Sequence, residues 1–142
     1  MAITQEICNS FKQQLFNGEH DLDTGSAFTY RIALYTSTAT LNKSTTTYSA
    51  TNEVVGTGYT AGGNALTLNG TSLTGDIAYL DFADTEWTSA SFTAAGALIY
   101  KDDTVDQAVC VLSFGGDQTV SSGTFTIQFP TADSSNAILR IT

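Results

Sequence analysis

The chain predicts an all-β fold, an antiparallel β-sandwich of jelly-roll-like kind with one short N-terminal helix, and three observations carry that prediction. Charged residues make up only 13% of the 142 positions, and Thr, Ser and Gly stand where Lys and Glu would stand in a helical protein. Thr suits a pleated surface and Gly punctuates its turns. Apolar and polar residues alternate in short runs, as at Phe28, Tyr30, Ile32 and Leu34 and again at Phe125, Ile127 and Phe129, the period of a half-buried strand. Gly, Asn, Asp and Ser clusters separate these runs, and no repeat of fixed period suggests a propeller or solenoid. A chain of this length is one domain, residues 1–142, able to bury roughly two-thirds of its unfolded surface. A single sheet would leave too much apolar surface uncovered, so two packed sheets are expected.

The one helical pattern comes first. Ile3, Ile7, Phe11 and Leu15 recur every four positions, Cys8 widens the stripe, and Gly18 stands at a helix C′ position, which predicts an amphipathic helix over about 3–17. Its stripe must be covered by the open end of the sandwich or by a neighbouring subunit, so Ile3, Ile7, Phe11 and Leu15 are candidate interface residues. Asn17 to Ser26 reads as a solvated loop. It holds the lone His20, and a second His or a Cys would be needed to turn His20, Asp21 and Asp23 into a transition-metal site. After the strand that starts at Phe28, Thr36 to Ala50 reads as a long Thr-rich loop or crossing.

Thr51 to Leu68, TNEVVGTGYTAGGNALTL, packs Gly56, Gly58, Gly62 and Gly63 around Tyr59. Such a run is a pinned backbone corner feeding a strand. A phosphate cradle is the functional alternative, but no Lys follows Gly63 and no helical pattern comes next. Asn64 to Leu68 is then a short strand, Asn69-Gly70 a hairpin dipeptide, and Ile77 to Phe82 a further strand. Asp81, Asp84 and Glu86 crowd around Trp87. Carboxylates so spaced can hold Ca²⁺ or serve as an acid–base pair, although no Asp-x-Asp-x-Asp-Gly loop is present. Ser91 to Lys101 and Ala108 to Phe114 read as strands, Gly115-Gly116-Asp117 as a turn, and Val120 to Phe129 and Ala137 to Ile141 as closing strands.

The formal net charge is −9, and the only cations are Lys12, Arg31, Lys43, Lys101 and Arg140, widely scattered. That balance argues against nucleic acid and against anionic membrane surfaces. Cys8 and Cys110 make neither a CxxC pair nor a disulfide framework and read as buried free thiols. No apolar run approaches the roughly 20 residues that cross a bilayer. Glu6 and Lys12 interrupt the region where a signal peptide needs an apolar core, so synthesis in a cytosol is expected. There is no GxSxG elbow to go with His20, so neither enzymatic activity nor a cofactor is expected.

Five segments taken together, ALYTS at Ala33 to Ser37, NEVVGTGYTAGG at Asn52 to Gly63, YLDFADTEWT at Tyr79 to Thr88, GALIY at Gly96 to Tyr100 and GTFTIQFP at Gly123 to Pro130, resemble a family of small virion structural proteins of tailed bacteriophages. The opening SFKQQLFNGEHDL is similar as well. One departure stands before GALIY, where Ala94 and Ala95 take the place of a basic residue in the family. The resemblance implies a non-enzymatic virion component, made in the host cytoplasm, that binds the major capsid protein or other virion proteins and forms a homo-oligomer, a dimer or trimer. Size, acidity and the lack of a fibrous segment favour a capsid decoration, or cement, protein. The alternatives are a tail or head-to-tail connector component and a surface carbohydrate-binding module with Trp87, Tyr59 and Tyr100 as stacking residues.

Overall fold

In the computed structural model, which describes residues 2–142, the alternation around Ile32 becomes strand β2 (Thr29–Tyr35), buried on both faces from Ile32 onward. Its sheet neighbour is the long β6 (Thr85–Asp102), which forms a hairpin with β7 (Ala108–Ile127) through the turn at residues 103–107. With β1 (Glu6–Ile7) on β7 and β3 (Asn64–Ala65) on β2, these make a five-stranded sheet of order β1-β7-β6-β2-β3. The segments β4 (Leu68–Thr74), β5 (Ile77–Phe82) and β8 (Leu139–Ile141) form a second sheet of order β4-β5-β8. Every pairing between these strands is antiparallel. The chain is thus an all-β sandwich with one short helix, α1 (Asn9–Phe16).

One apolar cluster joins the layers, taking Ile32, Leu98, Ile99 and Val111 from the large sheet and Phe82 and Leu139 from the small one. The outer edge of β2 would expose unpaired amides beyond its two-residue contact with β3. The following loops seal it: Leu66 N–H donates to Tyr30 O at 2.8 Å, Val54 N–H to Leu34 O at 2.9 Å and Thr36 N–H to Asn52 O at 3.0 Å.

The helix is shorter than the apolar period implies, and it begins at Asn9 rather than near Ile3. Other segments take the backbone before it. Ile3 forms a parallel bridge with Leu41, Glu6 and Ile7 pair with Val111 and Cys110, and Cys8 N–H donates to Val109 O at 3.0 Å. Ile3, Thr4 and Ile7 are β-branched and lose little in an extended chain, so tertiary pairing overrides a weak helical preference. The C-terminal end follows from its sequence. Gly18 has φ +72°, its N–H donates to Leu15 O, and Glu19 N–H donates to Gln14 O, the Schellman pattern that satisfies the last carbonyls.

Two glycine signals that read as turns are bulges instead. The chain leaves the large sheet after Ala65 and enters the small one at Leu68. Gly70, with φ +86°, lies in a register irregularity of β4 between Leu68 and Thr71, and the hairpin reverses at Gly75-Asp76. Gly115-Gly116-Asp117 lies within β7, where the register slips between the Ala94–Gln118 and Gly96–Ser113 pairs. A positive φ serves a bulge as well as a turn, so the dipeptide alone does not choose between them.

Candidate functional site

At the glycine corner, Gly58, Gly62 and Gly63 have φ of +83°, +94° and +77°, whereas Gly56 is confined by contact, since a Cβ there would lie 2.6 Å from Ser91 O. The residue that holds the corner is one the composition gives no reason to select. Glu53, buried just before the glycines, accepts from Tyr48 Oη and Tyr59 Oη, each at 2.6 Å, and from Gly62 N–H at 2.7 Å. Tyr59 Oη in turn accepts from Leu34 N–H at 2.9 Å, and Tyr100 Oη donates to Gly62 O at 2.8 Å. Burial, and then the hydrogen bond to Glu53, pushes the Tyr48 and Tyr59 phenols up, and burial raises Tyr100 to about 12. All three therefore remain donors at neutral pH. The corner is a lock between a loop and β2 and not a phosphate cradle, because the Tyr59, Gly62 and Gly63 amides already donate to Gly56 O, Glu53 and Thr60 O.

The fold separates the carboxylates that the sequence places together. Asp81 is buried in β5, where its Oδ1 accepts from Phe82 N–H at 2.8 Å and burial raises its pKa. Asp84 lies between β5 and β6 and accepts from Phe129 N–H at 2.8 Å, while Glu86 is exposed on β6. Among the described residues no group of three or more His, Cys, Asp or Glu side chains is placed to hold a metal ion. Asp81, Asp84 and Glu86 thus do not form the calcium cluster that their spacing suggests. Asp81 serves the interior and Asp84 ties two segments together.

Two of the three aromatic stacking candidates are interior and the third, Tyr59, is half-buried. Trp87 and Tyr100 are 4% and 2% exposed, and Tyr59 packs edge-on to Phe92 at 5.7 Å with its hydroxyl turned to Glu53. Rings so covered offer no platform for a sugar. Nor is His20 solvated. Its Nδ1 lies 3.0 Å from Tyr30 Oη, its Nε2 2.8 Å from Gln14 Oε1, and Phe11 meets it edge-on at 4.7 Å. Burial first, and then the Lys101 charge, lowers its pKa to about 4.

Apolar side chains converge between α1 and the small sheet, some packed on the core and some open to solvent. Ile7 of β1, Phe11 and Leu15 of α1, Leu80 of β5 and Ile141 of β8 help line a groove of about 660 Å³. Phe16 at the end of α1 also lines it and is 95% exposed. Of the four candidate interface residues three gather here, while Ile3 does not, being packed on Gly96 where a Cβ would lie 2.7 Å from Ile3 Cγ2. Two cations complete the lining, Lys12 and Arg140. Neither forms a salt bridge among the described residues; Lys12 Nζ donates to Asn9 Oδ1 at 3.3 Å and Arg140 Nη1 to Ser135 O at 2.7 Å. No Asp or Glu lines the groove. The strands of the small sheet at Ile77–Phe82 and within Ala137 to Ile141 were readable from periodicity; that they pair with each other and face α1 was not.

Comparison with known protein families, with curated proteins and with solved structures returned no match.

Proposed function

We propose that the chain is a structural protein of a tailed-phage virion, a capsid decoration protein that stabilises the head by binding the major capsid protein. The observation that carries this reading is the open, mostly apolar groove between α1 and the small sheet, with Phe16 at its edge 95% exposed. An exposed apolar patch of this kind marks an interaction surface. The choice of partner comes from the resemblance of segments such as YLDFADTEWT and GTFTIQFP to phage virion proteins. A ligand that binds only an assembled shell stabilises it by mass action, so many modest contacts reinforce the whole. Copies arranged around symmetry axes are expected to form a dimer or trimer, which light scattering checks.

The test is genome release by heat or osmotic shock from particles assembled with and without the protein, each with and without EDTA. The expected result is earlier release without it, rescue on adding the purified chain, and no effect of EDTA. Particles that lack it, remain equally robust and fail to join tails would favour the connector role instead.

A further inference from the structure

We propose that the groove between α1 and the β4-β5-β8 sheet takes an apolar segment of a different protein, one that carries its own carboxylate beside its apolar side chains. The proposal rests on the reading that this chain works by binding, and it names the chemistry of the segment bound. Two observations lead to it. The groove, about 660 Å³ and lined by Phe11, Leu15 and Leu80, is of the size that takes on the order of two or three large apolar side chains. Of five cations in a chain of net charge −9, two, Lys12 and Arg140, line this groove, Arg140 also lining the adjoining cleft, where its charge acts on Asp133; neither forms a salt bridge among the described residues. A carboxylate entering with the apolar segment would meet these two cations beside a desolvated surface, where a charge-assisted hydrogen bond is strongest.

The same charges argue against a second copy paired about a two-fold axis. In such a pairing a patch faces itself. Lys12 and Arg140 of both copies would meet at an apolar contact whose lining has no Asp or Glu to offset them, and like charges repel most strongly where water is excluded. Complementary potential favours a foreign acidic segment and disfavours the self-contact.

The probe is a short fluorescein-labelled peptide of Leu and Phe interspersed with Glu, compared with peptides in which Lys or Gln replaces Glu. Fluorescence anisotropy is read with the full chain and with a Lys12→Gln, Arg140→Gln double variant. Both positions are exposed, and the Trp87 emission checks that the variant is folded. The Glu peptide should bind about tenfold more tightly than the Lys peptide, lose that advantage at high salt, and lose it in the double variant. Equal affinity for Glu and Lys peptides, or no binding of any peptide, overturns the proposal. So does self-association of the chain that the double variant abolishes, which would make the occupant a second copy. Particles lacking the protein separate this inference from the reading beneath it. Capture of wild type but not the double variant supports the groove. Equal capture of both overturns the groove and leaves decoration standing. Capture of neither overturns decoration, and the peptides still decide the groove.

Discussion

At Gly63 two constraints coincide, a φ of +77° and a backbone approach so close that a Cβ would lie 1.8 Å from Ile32 O, whereas Gly18 has a similar φ of +72° with open space around it. Gly63→Ala should therefore cost about 3 kcal/mol or more, from left-handed strain plus a collision with backbone that cannot yield. Gly18→Ala should cost about 1–2 kcal/mol from strain alone. Urea titrations of both variants check the contrast, and equal losses would show that the close approach does not matter. Glu53 is the second decisive residue, because truncation leaves the Tyr48, Tyr59 and Gly62 donors without their acceptor. Glu53→Ala should cost more than about 2 kcal/mol, and Glu53→Gln less, since an amide still accepts from two donors and can donate to the Tyr48 hydroxyl. His20 adds a pH dependence whose sign follows from its lowered pKa, about 4 against 6.5 unfolded. The unfolded chain takes up the proton first, so the stability of neutral His20 is present above pH 6.5 and is lost as pH falls toward 4. Glu19 and Asp103 oppose the shift and Lys101 adds to it. The difference in urea midpoint between wild type and His20→Gln should shrink or reverse across that range, and a constant difference would sink the assignment.

The N-terminal element shows how far local pattern reaches. Phe11 and Leu15 keep their helical spacing, and Gly18 closes the helix where its lack of a side chain predicts. The extended course of Ile3 to Ile7 is decided by Leu41, Val111 and Cys110, which are remote in sequence and invisible to any window of a few residues. Period-two runs such as Thr29–Tyr35 were legible for the converse reason, since alternation is written in neighbouring residues. Asn69-Gly70 and Gly115-Gly116 mislead because a positive φ is local while the difference between turn and bulge lies in the partner strand. The groove was half legible. Ile7, Phe11 and Leu15 announced an apolar face, but the opposite wall comes from β5 and the C-terminal strand, and of the two cations Lys12 lies on α1 itself while Arg140 lies on that strand. The Glu53 lock was not legible at all, its donors being tyrosines and an amide that read individually as core and turn. A prediction belongs to this element. Both thiols are free and buried beneath it, and burial, followed by the Glu6 charge, raises Cys8 to about 11. Neither should react with a thiol reagent until the fold opens. A chain lacking residues 2–7 should expose Cys110, the direct partner of Ile7, and alkylate it faster while its circular dichroism stays native; an unchanged rate would show that β1 is not its cover.

Across the whole molecule, the β6–β7 hairpin outruns the sheet that supports it. Pairing with β2 ends at Gly96, so of the strands only β7 pairs with residues 85–95 of β6, the one further pairing being an isolated bridge between Ser91 and Thr57. A two-stranded ribbon by itself is marginal in water. What holds this one is the glycine corner and its neighbours: Ser91 N–H donates to Thr57 O at 2.9 Å, Asn64 Nδ2 to Glu86 O at 2.9 Å, and the Tyr59 ring covers Trp87 and Phe92 at 6.0 and 5.7 Å. Since Tyr59 is itself fixed by Glu53, the ribbon should unfold with the sandwich only while that lock is intact. Trp87, the one tryptophan, reports the ribbon, and far-UV circular dichroism reports all strands together. In wild type the two urea transitions should coincide, as a single cooperative unit requires. In Glu53→Ala the Trp87 transition should move to lower urea and precede the loss of dichroism, because the ribbon then opens as a separate unit of lower stability. Coincident transitions in both proteins would mean that the Trp87, Phe92 and Phe125 contacts hold the ribbon without the corner.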